Sequence, residues 1–283
     1  MGDASGESDA DRAVKAKHRA MWALGDYAAV ANQLIPALGT ALVDACGIRA
    51  GTRVLDVAAG TGNAAIPAAL AGADVVASDL TPDLLHVGRR IAEGLGAELE
   101  WREADAEALP FGDGAFDTVM SCVGVMFAPH HQASADEMLR VCRPGGTIGL
   151  LNWTPEGFIG RMFATMKPYA PPPPPGAQPP PMWGDEGHVR ALLGERVTSV
   201  HARRGTVRVD RFTTPGEVGD YFKKNYGPTI AVYRNIAGTP ERVAALDQEL
   251  AALARDQASA TDGAAGGGLA MDWEYLLVTA QRR

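Results

Sequence analysis

Cysteine is scarce. Cys46, Cys122 and Cys142 are the only three in 283 residues, too few and too scattered for a disulfide framework or a zinc cluster, so a reduced, cytoplasmic protein without a metal site is expected. Long apolar runs are missing too. None approaches the roughly 18 residues needed to cross a bilayer, and no membrane partner is expected. Basic charge is in deficit: 26 Lys and Arg face 34 Asp and Glu, a formal charge of −8. That balance disfavours nucleic acid, whose non-specific binding needs basic patches, and fits a small neutral or cationic partner. There are no internal repeats. The opening MGDASGESDAD lacks the basic flank and apolar stretch of a targeting peptide, and Gly6 stands where myristoylation needs Ser or Thr. Residues 1–11 read as a disordered tail.

What is present is an ordinary globular mixture, 46% hydrophobic, able to bury a real core. From about 12 to 46, Trp22, Tyr27, Val30, Leu34, Leu38 and Leu42 recur at helical steps. A strand and helix alternation follows. TRVLDVA, DVVASDL, LEWREAD, FDTVMSCVG and TIGLLNW read as strands, and NAAIPAALAG, the segment opened by Thr81-Pro82, and SADEMLRVC as helices, the last stopped by RPGG. Apolar strands in regular βα alternation predict a parallel sheet covered on both faces. After Trp153 the rhythm breaks. PPPPPGAQPPP (171–181) reads as a stiff polyproline spacer. VTSVHARRGTVRVDRF is strand material, Thr214 and Thr239 each precede a proline at a helix start, DGAAGGG is a loop, and WEYLLVTA is a final strand.

Gly60, Gly62 and Ala65 in VLDVAAGTGNAA have the G-x-G-x-x-A spacing of a dinucleotide turn. The same letters suit a loop holding S-adenosylmethionine. Asp56 lies four residues before Gly60, where it would repel a pyrophosphate seated on the helix N-terminus but attract an ammonium or a sulfonium. Asp79, ending the second strand, is placed for ribose hydroxyls and serves either ligand.

LDVAAGTG, SDLTPDLL, ADAEALPF, FDTVMS and LRVCRPGGTIGL, in that order, resemble the class I S-adenosylmethionine-dependent methyltransferases. The likeness is to the methyltransferase-11 group, which includes the ubiquinone and menaquinone C-methyltransferases, and it covers Val54 to Trp153. It implies an α/β, Rossmann-like, doubly wound and mostly parallel seven-stranded sheet with a helical insertion before the last strand. The implied domains are a tail at 1–11, an N-terminal helical lid at 12–46 and a cofactor-binding core at 47–153. A helical, proline-rich insertion with a strand at 154–258 holds the acceptor pocket, and a loop with the last strand fills 259–283. By the same resemblance Asp56, Ala58, Gly60, Gly62 and Asn63 line the methionine part of the cofactor. Asp79 holds the ribose, Leu80 covers the adenine, and Asp105 with Ala106 reads its amino edge. Ser121, Cys122 and Val123 pass under the sulfonium, and Tyr27 folds over the cofactor. Ala58 departs from a common glycine and is tolerable if its φ is negative.

For chemistry, His130 and His131 sit just past the fourth strand as candidate general bases; the plainer reading is a helix cap or a surface pair. Trp22, Asn225 and Tyr226 are candidates to touch the acceptor, against plain core packing and a helix C-terminus. Trp273 and Glu274 read as structural. The expected activity is methyl transfer to O, N or C of a small molecule, with the Ala-, Gly-, Pro- and Arg-rich composition associating it with secondary-metabolite tailoring such as antibiotic biosynthesis. A nicotinamide-dependent oxidoreductase and a catalytically silent cofactor-binding scaffold are the alternatives, and the assembly is expected to be a monomer or homodimer.

Overall fold

Strands β1 (Arg53–Val57), β2 (Asp74–Asp79), β3 (Glu100–Glu103), β4 (Phe116–Cys122) and β5 (Cys142–Trp153) alternate with helices in the computed structural model, which describes residues 9–259 and 268–283. The intervening helices are α4 (Ala65–Leu70), α5 (Pro82–Leu95) and α6 (His131–Val141), preceded by α1 (Asp9–Trp22), α2 (Tyr27–Leu34) and α3 (Pro36–Ala45). Beyond β5 come α7 (Phe158–Met166), α8 (Glu186–Leu193), β6 (Val197–Phe212), α9 (Pro215–Asn225), α10 (Gly227–Ile236), α11 (Pro240–Ser259) and β7 (Leu269–Arg282). The seven strands form one sheet in the order β3-β2-β1-β4-β5-β7-β6. β1 to β5 pair in parallel, and β7 runs antiparallel to both β5 and β6. β1 and β4 are neighbours whose connections leave in opposite directions. A doubly wound sheet opens a ligand crevice beyond the strand ends at that reversal.

The N-terminal helical region is three helices rather than one. The Asp26 carboxylate accepts the Ala29 N–H at 3.0 Å and caps α2, and Pro36, whose ring has no N–H to give, opens α3. The expected tail is shorter than 1–11, since α1 begins at Asp9; residues 1–8 lie outside those described, as does most of the DGAAGGG loop. Helices α2 and α3 bury Val30, Leu34, Leu38 and Leu42 in the core, α3 lying against β4 and β5, and Gly149 on β5 leaves room for Cys46, whose Sγ stands 2.2 Å from where a Cβ would be.

The expected insertion at 154–258 is two excursions on either side of β6, which is itself a strand of the sheet. The proline-rich stretch does not separate two units. Its Gln178 N–H bonds the Pro129 carbonyl at 3.0 Å, and a 3-10 helix at Pro180–Gly184 buries Trp183. The third strand is also shorter than read, because Asp105 leaves the sheet to bridge Ala108. Among the described residues no single helix is long and apolar enough to cross a membrane.

Candidate cofactor and acceptor site

The loops after β1, β2, β3 and β4 make one side of a cleft of about 700 Å³ with its open mouth, and Lys15, His18 and Trp22 of α1 make the other. Ala58, Gly60, Asp79, Leu80, Asp105, Ala106 and Val123 line it, with Tyr27. Asp79 holds the loop in shape: its carboxylate accepts the Gly60 N–H and the Thr81 N–H, each at 2.8 Å. Burial raises its pKa despite those bonds. Gly60 has φ +56°, and a Cβ there would stand 3.2 Å from the Tyr27 ring. Gly62, at φ +89°, shares that backbone demand, and its Cβ would also meet Trp101 at 2.8 Å.

Asp56 is 1% exposed and lies behind the cleft lining; neither of its carboxylate oxygens has a well-formed hydrogen bond, and the nearby Ala65 N–H is the group that steadies its charge. Burial pushes its pKa up to about 8. A buried carboxylate so thinly bonded is costly. Asp105 is already engaged. One oxygen accepts the Glu107 N–H at 2.9 Å and the other pairs with Lys15. Burial works against the Lys15 charge, yet bonds to Asp105 and Asp11 outweigh it and raise its pKa. Arg19, one turn on, donates to the Leu80 carbonyl at 2.9 Å and pairs with Glu103 at 2.7 Å. The first helix is thus latched across the ends of β2 and β3.

Ala58 has φ +56° and Val123 φ +46°, so the expected negative φ at Ala58 does not occur. Left-handed backbone in residues with a Cβ costs on the order of 1–3 kcal/mol each and collects at functional sites. Gly124 forces the closeness, for its own Cβ would lie 2.1 Å from the Ala58 carbonyl oxygen. Ala58→Gly is expected to stabilise the protein by about 1 kcal/mol in denaturant unfolding; a loss of stability would show that the alanine methyl packs usefully.

Tyr27, Val123 and Phe127 also border a second, much tighter apolar space, nearly filled by its own lining, which Trp153, Ile159, Phe222, Tyr226 and Trp273 enclose with Val30 and Ile35. Trp22 joins the two spaces, its ring 5.6 Å from Tyr27, 4.7 Å from Phe127 and 5.6 Å from Tyr226.

A family described as methyltransferase domain matches residues 54–146. The uncharacterised protein Rv1403c of Mycobacterium tuberculosis H37Rv is 54% identical over 265 residues, 94% of each chain. The demethylmenaquinone methyltransferase of Thermus thermophilus is 40% identical over 119 residues, 41% of this chain and 54% of that protein. The chain belongs to the class I methyltransferases. The crystal structure of YcgJ from Bacillus subtilis has the same fold, at a TM-score of 0.59 and 18% identity over 87% of this chain and 98% of that one.

The methyltransferase's cleft fits S-adenosylmethionine, the methyl donor of this family. The open space over Gly60, beside the acid Asp79 and with the buried Asp56 behind it, suits an ammonium-bearing ligand without phosphate. Other expected contacts fall elsewhere. Asn63 reaches the Ile35 carbonyl at 3.4 Å. Ser121 donates to the Val57 carbonyl at 2.6 Å and accepts the Val125 N–H at 2.8 Å, so with buried Cys122 it shapes the strand ends beneath the cleft. Burial holds the Cys122 thiol well above its ordinary pKa.

The histidines also part company. His130 is anchored beside the cleft, next to its lining residue Pro129, its backbone N–H on Glu107 at 2.7 Å and its Nδ1 on the same carboxylate at 3.0 Å. His131 does not line the cleft. It is fully buried as the first residue of α6, Nδ1 2.9 Å from His188 Nε2 and its ring 5.5 Å from Trp183. Burial, with His188 and His130 nearby, lowers its pKa to about 4. Because the unfolded chain binds that proton near 6.5 and the folded one does not, His131 removes stability as pH falls from about 6.5 towards 4. His131→Ala is expected to cost about 1–3 kcal/mol of stability and to leave S-adenosylhomocysteine affinity within about twofold, measured by urea unfolding and calorimetry.

Asn225 likewise turns away from the aromatic cavity: its amide donates to the Tyr221 carbonyl at 3.0 Å, and its own carbonyl accepts the Asp26 N–H at 3.0 Å. Tyr233 is bonded to Asp247 at 2.6 Å. Sequence reasoning missed Lys15, His18 and Trp273. The α1 spacing of Lys15, His18 and Trp22 could have exposed the first two as one helix face; nothing local in the sequence aims Trp273 at the cavity.

Proposed function

We propose that the methyltransferase holds S-adenosylmethionine along the cleft and passes its methyl group to a small molecule in the aromatic cavity. The observation that carries this is a cleft lined by the glycine loop and Asp79 that shares Tyr27, Val123 and Phe127 with an apolar space, with the buried Asp56 carboxylate on the strand leading into that loop. In this reading Asp56 faces the ammonium, Asp79 takes the ribose hydroxyls, Leu80 covers the adenine, and Asp105 beside Ala106 receives its amino group. Asp105 retains acceptor capacity for this, since a carboxylate has about four lone-pair sites. The sulfonium supplies an activated methyl group.

The chain's own residues supply position and dryness. Tyr27, Val123 and Phe127 stand where the two spaces meet, so they set the approach of acceptor to methyl. Alignment of this kind accounts for about 7–11 kcal/mol of barrier reduction in well-oriented reactions. Trp22 and Tyr226 close the meeting point against water. A secondary metabolite is the acceptor class that the chain's composition favours. Asp79→Ala is expected to weaken S-adenosylhomocysteine binding by about 1.5–3 kcal/mol, because charge-assisted bonds to the ribose and the loop's anchor on Gly60 go together. Calorimetry on the folded variant checks it, and an unchanged Kd would contradict the ribose role.

A further inference from the structure

Resting on that reading of the two spaces, we propose that the acceptor offers an uncharged nitrogen as nucleophile, rather than an oxygen or carbon acid that must first lose a proton. The step is balanced without help from the protein: the nitrogen lone pair forms the N–CH₃ bond as the S–CH₃ bond breaks. Sulfur keeps the bonding pair and becomes neutral. Nitrogen takes the positive charge, and any proton it carries goes to water after release.

The first support is what surrounds the acceptor cavity. Among the described residues that line it, none carries a carboxylate, an imidazole or an amine. The groups nearby lie elsewhere: His131 is bonded to His188 and His130 to Glu107, His18 stands on the cleft wall towards Glu107 and Asp105 rather than in the apolar space, and Asp56 is assigned to the cofactor's ammonium. The lining phenols are no bases either, since burial raises the pKa of both Tyr27 and Tyr226. An acid of oxygen or carbon would find nothing there to take its proton.

The second support is charge. An oxyanion or carbanion would need a counter-charge in this apolar space, because an unpaired buried anion is heavily penalised. The cations of the cleft, Lys15 and Arg19, are held at its adenine end by Asp105, Asp11 and Glu103. Positive charge growing on nitrogen is favoured by walls made of Tyr27, Phe127, Trp153, Phe222, Tyr226 and Trp273, as in aromatic cages for substituted ammonium groups. The same cavity offers polar handles. The Tyr27 and Tyr226 hydroxyls make no hydrogen bond among the described residues, leaving each free to accept an N–H and turn the lone pair towards the methyl.

The test uses three probes of one shape on the full chain: choline, its uncharged carbon analogue 3,3-dimethylbutan-1-ol, and the anion 3,3-dimethylbutanoate. S-Adenosylhomocysteine is titrated first by calorimetry, and each probe is then added to the loaded protein. Choline is expected to bind at least tenfold more tightly than the alcohol, and the anion more weakly than either. Tyr226→Leu should reduce the choline preference at least fivefold with S-adenosylhomocysteine affinity within about twofold, while Tyr226→Phe keeps it. Equal or tighter binding of the alcohol or the anion overturns the proposal, and so does failure of choline to bind the loaded protein. Failure of S-adenosylhomocysteine itself to bind would instead overturn the cofactor reading beneath it.

Discussion

Asp56→Asn is expected to reduce S-adenosylmethionine affinity at least 100-fold and, at the same time, to make the ligand-free protein more stable at pH 8. The two effects have one cause. In the folded chain the Asp56 carboxyl keeps its proton up to about pH 8, whereas its ordinary value is 3.8. Between those limits the folded state binds more protons than the unfolded one, so its stability falls as pH rises from about 4 to about 8. Asparagine has the same shape and no charge to bury, which removes that loss. A rise in Tm of at least about 4 °C at pH 8 is expected, shrinking as the pH is lowered towards 4. In the proposed reading the same exchange removes the negative charge that would pair with the ammonium, and a neutral amide beside a buried cation leaves it uncompensated. A variant that melts lower at pH 8 and binds normally would make Asp56 a structural residue.

The second large effect is at Gly60. Gly60→Val is expected to abolish cofactor binding with the remainder of the fold intact by circular dichroism and cooperative unfolding. Its φ of +56° is strained for any branched side chain, and its Cβ would press on Tyr27 at 3.2 Å. Moving the loop breaks the Gly60 N–H bond to Asp79, so the acid proposed to take the ribose loses its place together with the loop. Gly60→Ala should fall between, weakening binding roughly 10-fold to 100-fold for a strain of about 1–3 kcal/mol. Normal binding of S-adenosylhomocysteine by the valine variant would mean that the ligand does not pass over this loop.

Most of the sheet is legible from the chain because its signals are local. Apolar β1, β2 and β4 are bounded by turn residues, Pro82, Pro215 and Pro240 open helices, and the acids at the ends of β1 and β2 follow from strand length alone. What escaped depends on tertiary approach. Ala58 looks tolerable as a letter, yet the close pass of Gly124 puts it at positive φ. His131 looks catalytic beside His130, yet the start of α6 turns the two rings apart, one to Glu107 and one to His188. The long stretch after β5 reads as one insertion because β6, with its largely exposed edge, lacks the apolar run that marked the earlier strands. Trp273 reads as plain strand packing, and only the fold brings it to a cavity with Tyr27 and Tyr226.

Proton release on cofactor binding tests the Asp56–ammonium pairing most directly. S-Adenosylhomocysteine is titrated into the protein at pH 6.0 in buffers of different ionisation enthalpy. At that pH the ligand's ammonium is fully charged and Asp56, with its pKa near 8, is protonated. Pairing the two requires the carboxyl to ionise, so close to one proton should be released per ligand bound, and none by Asp56→Asn where its residual binding can be followed. Tight binding to the unaltered protein with no proton released would contradict the placement of the ammonium on Asp56.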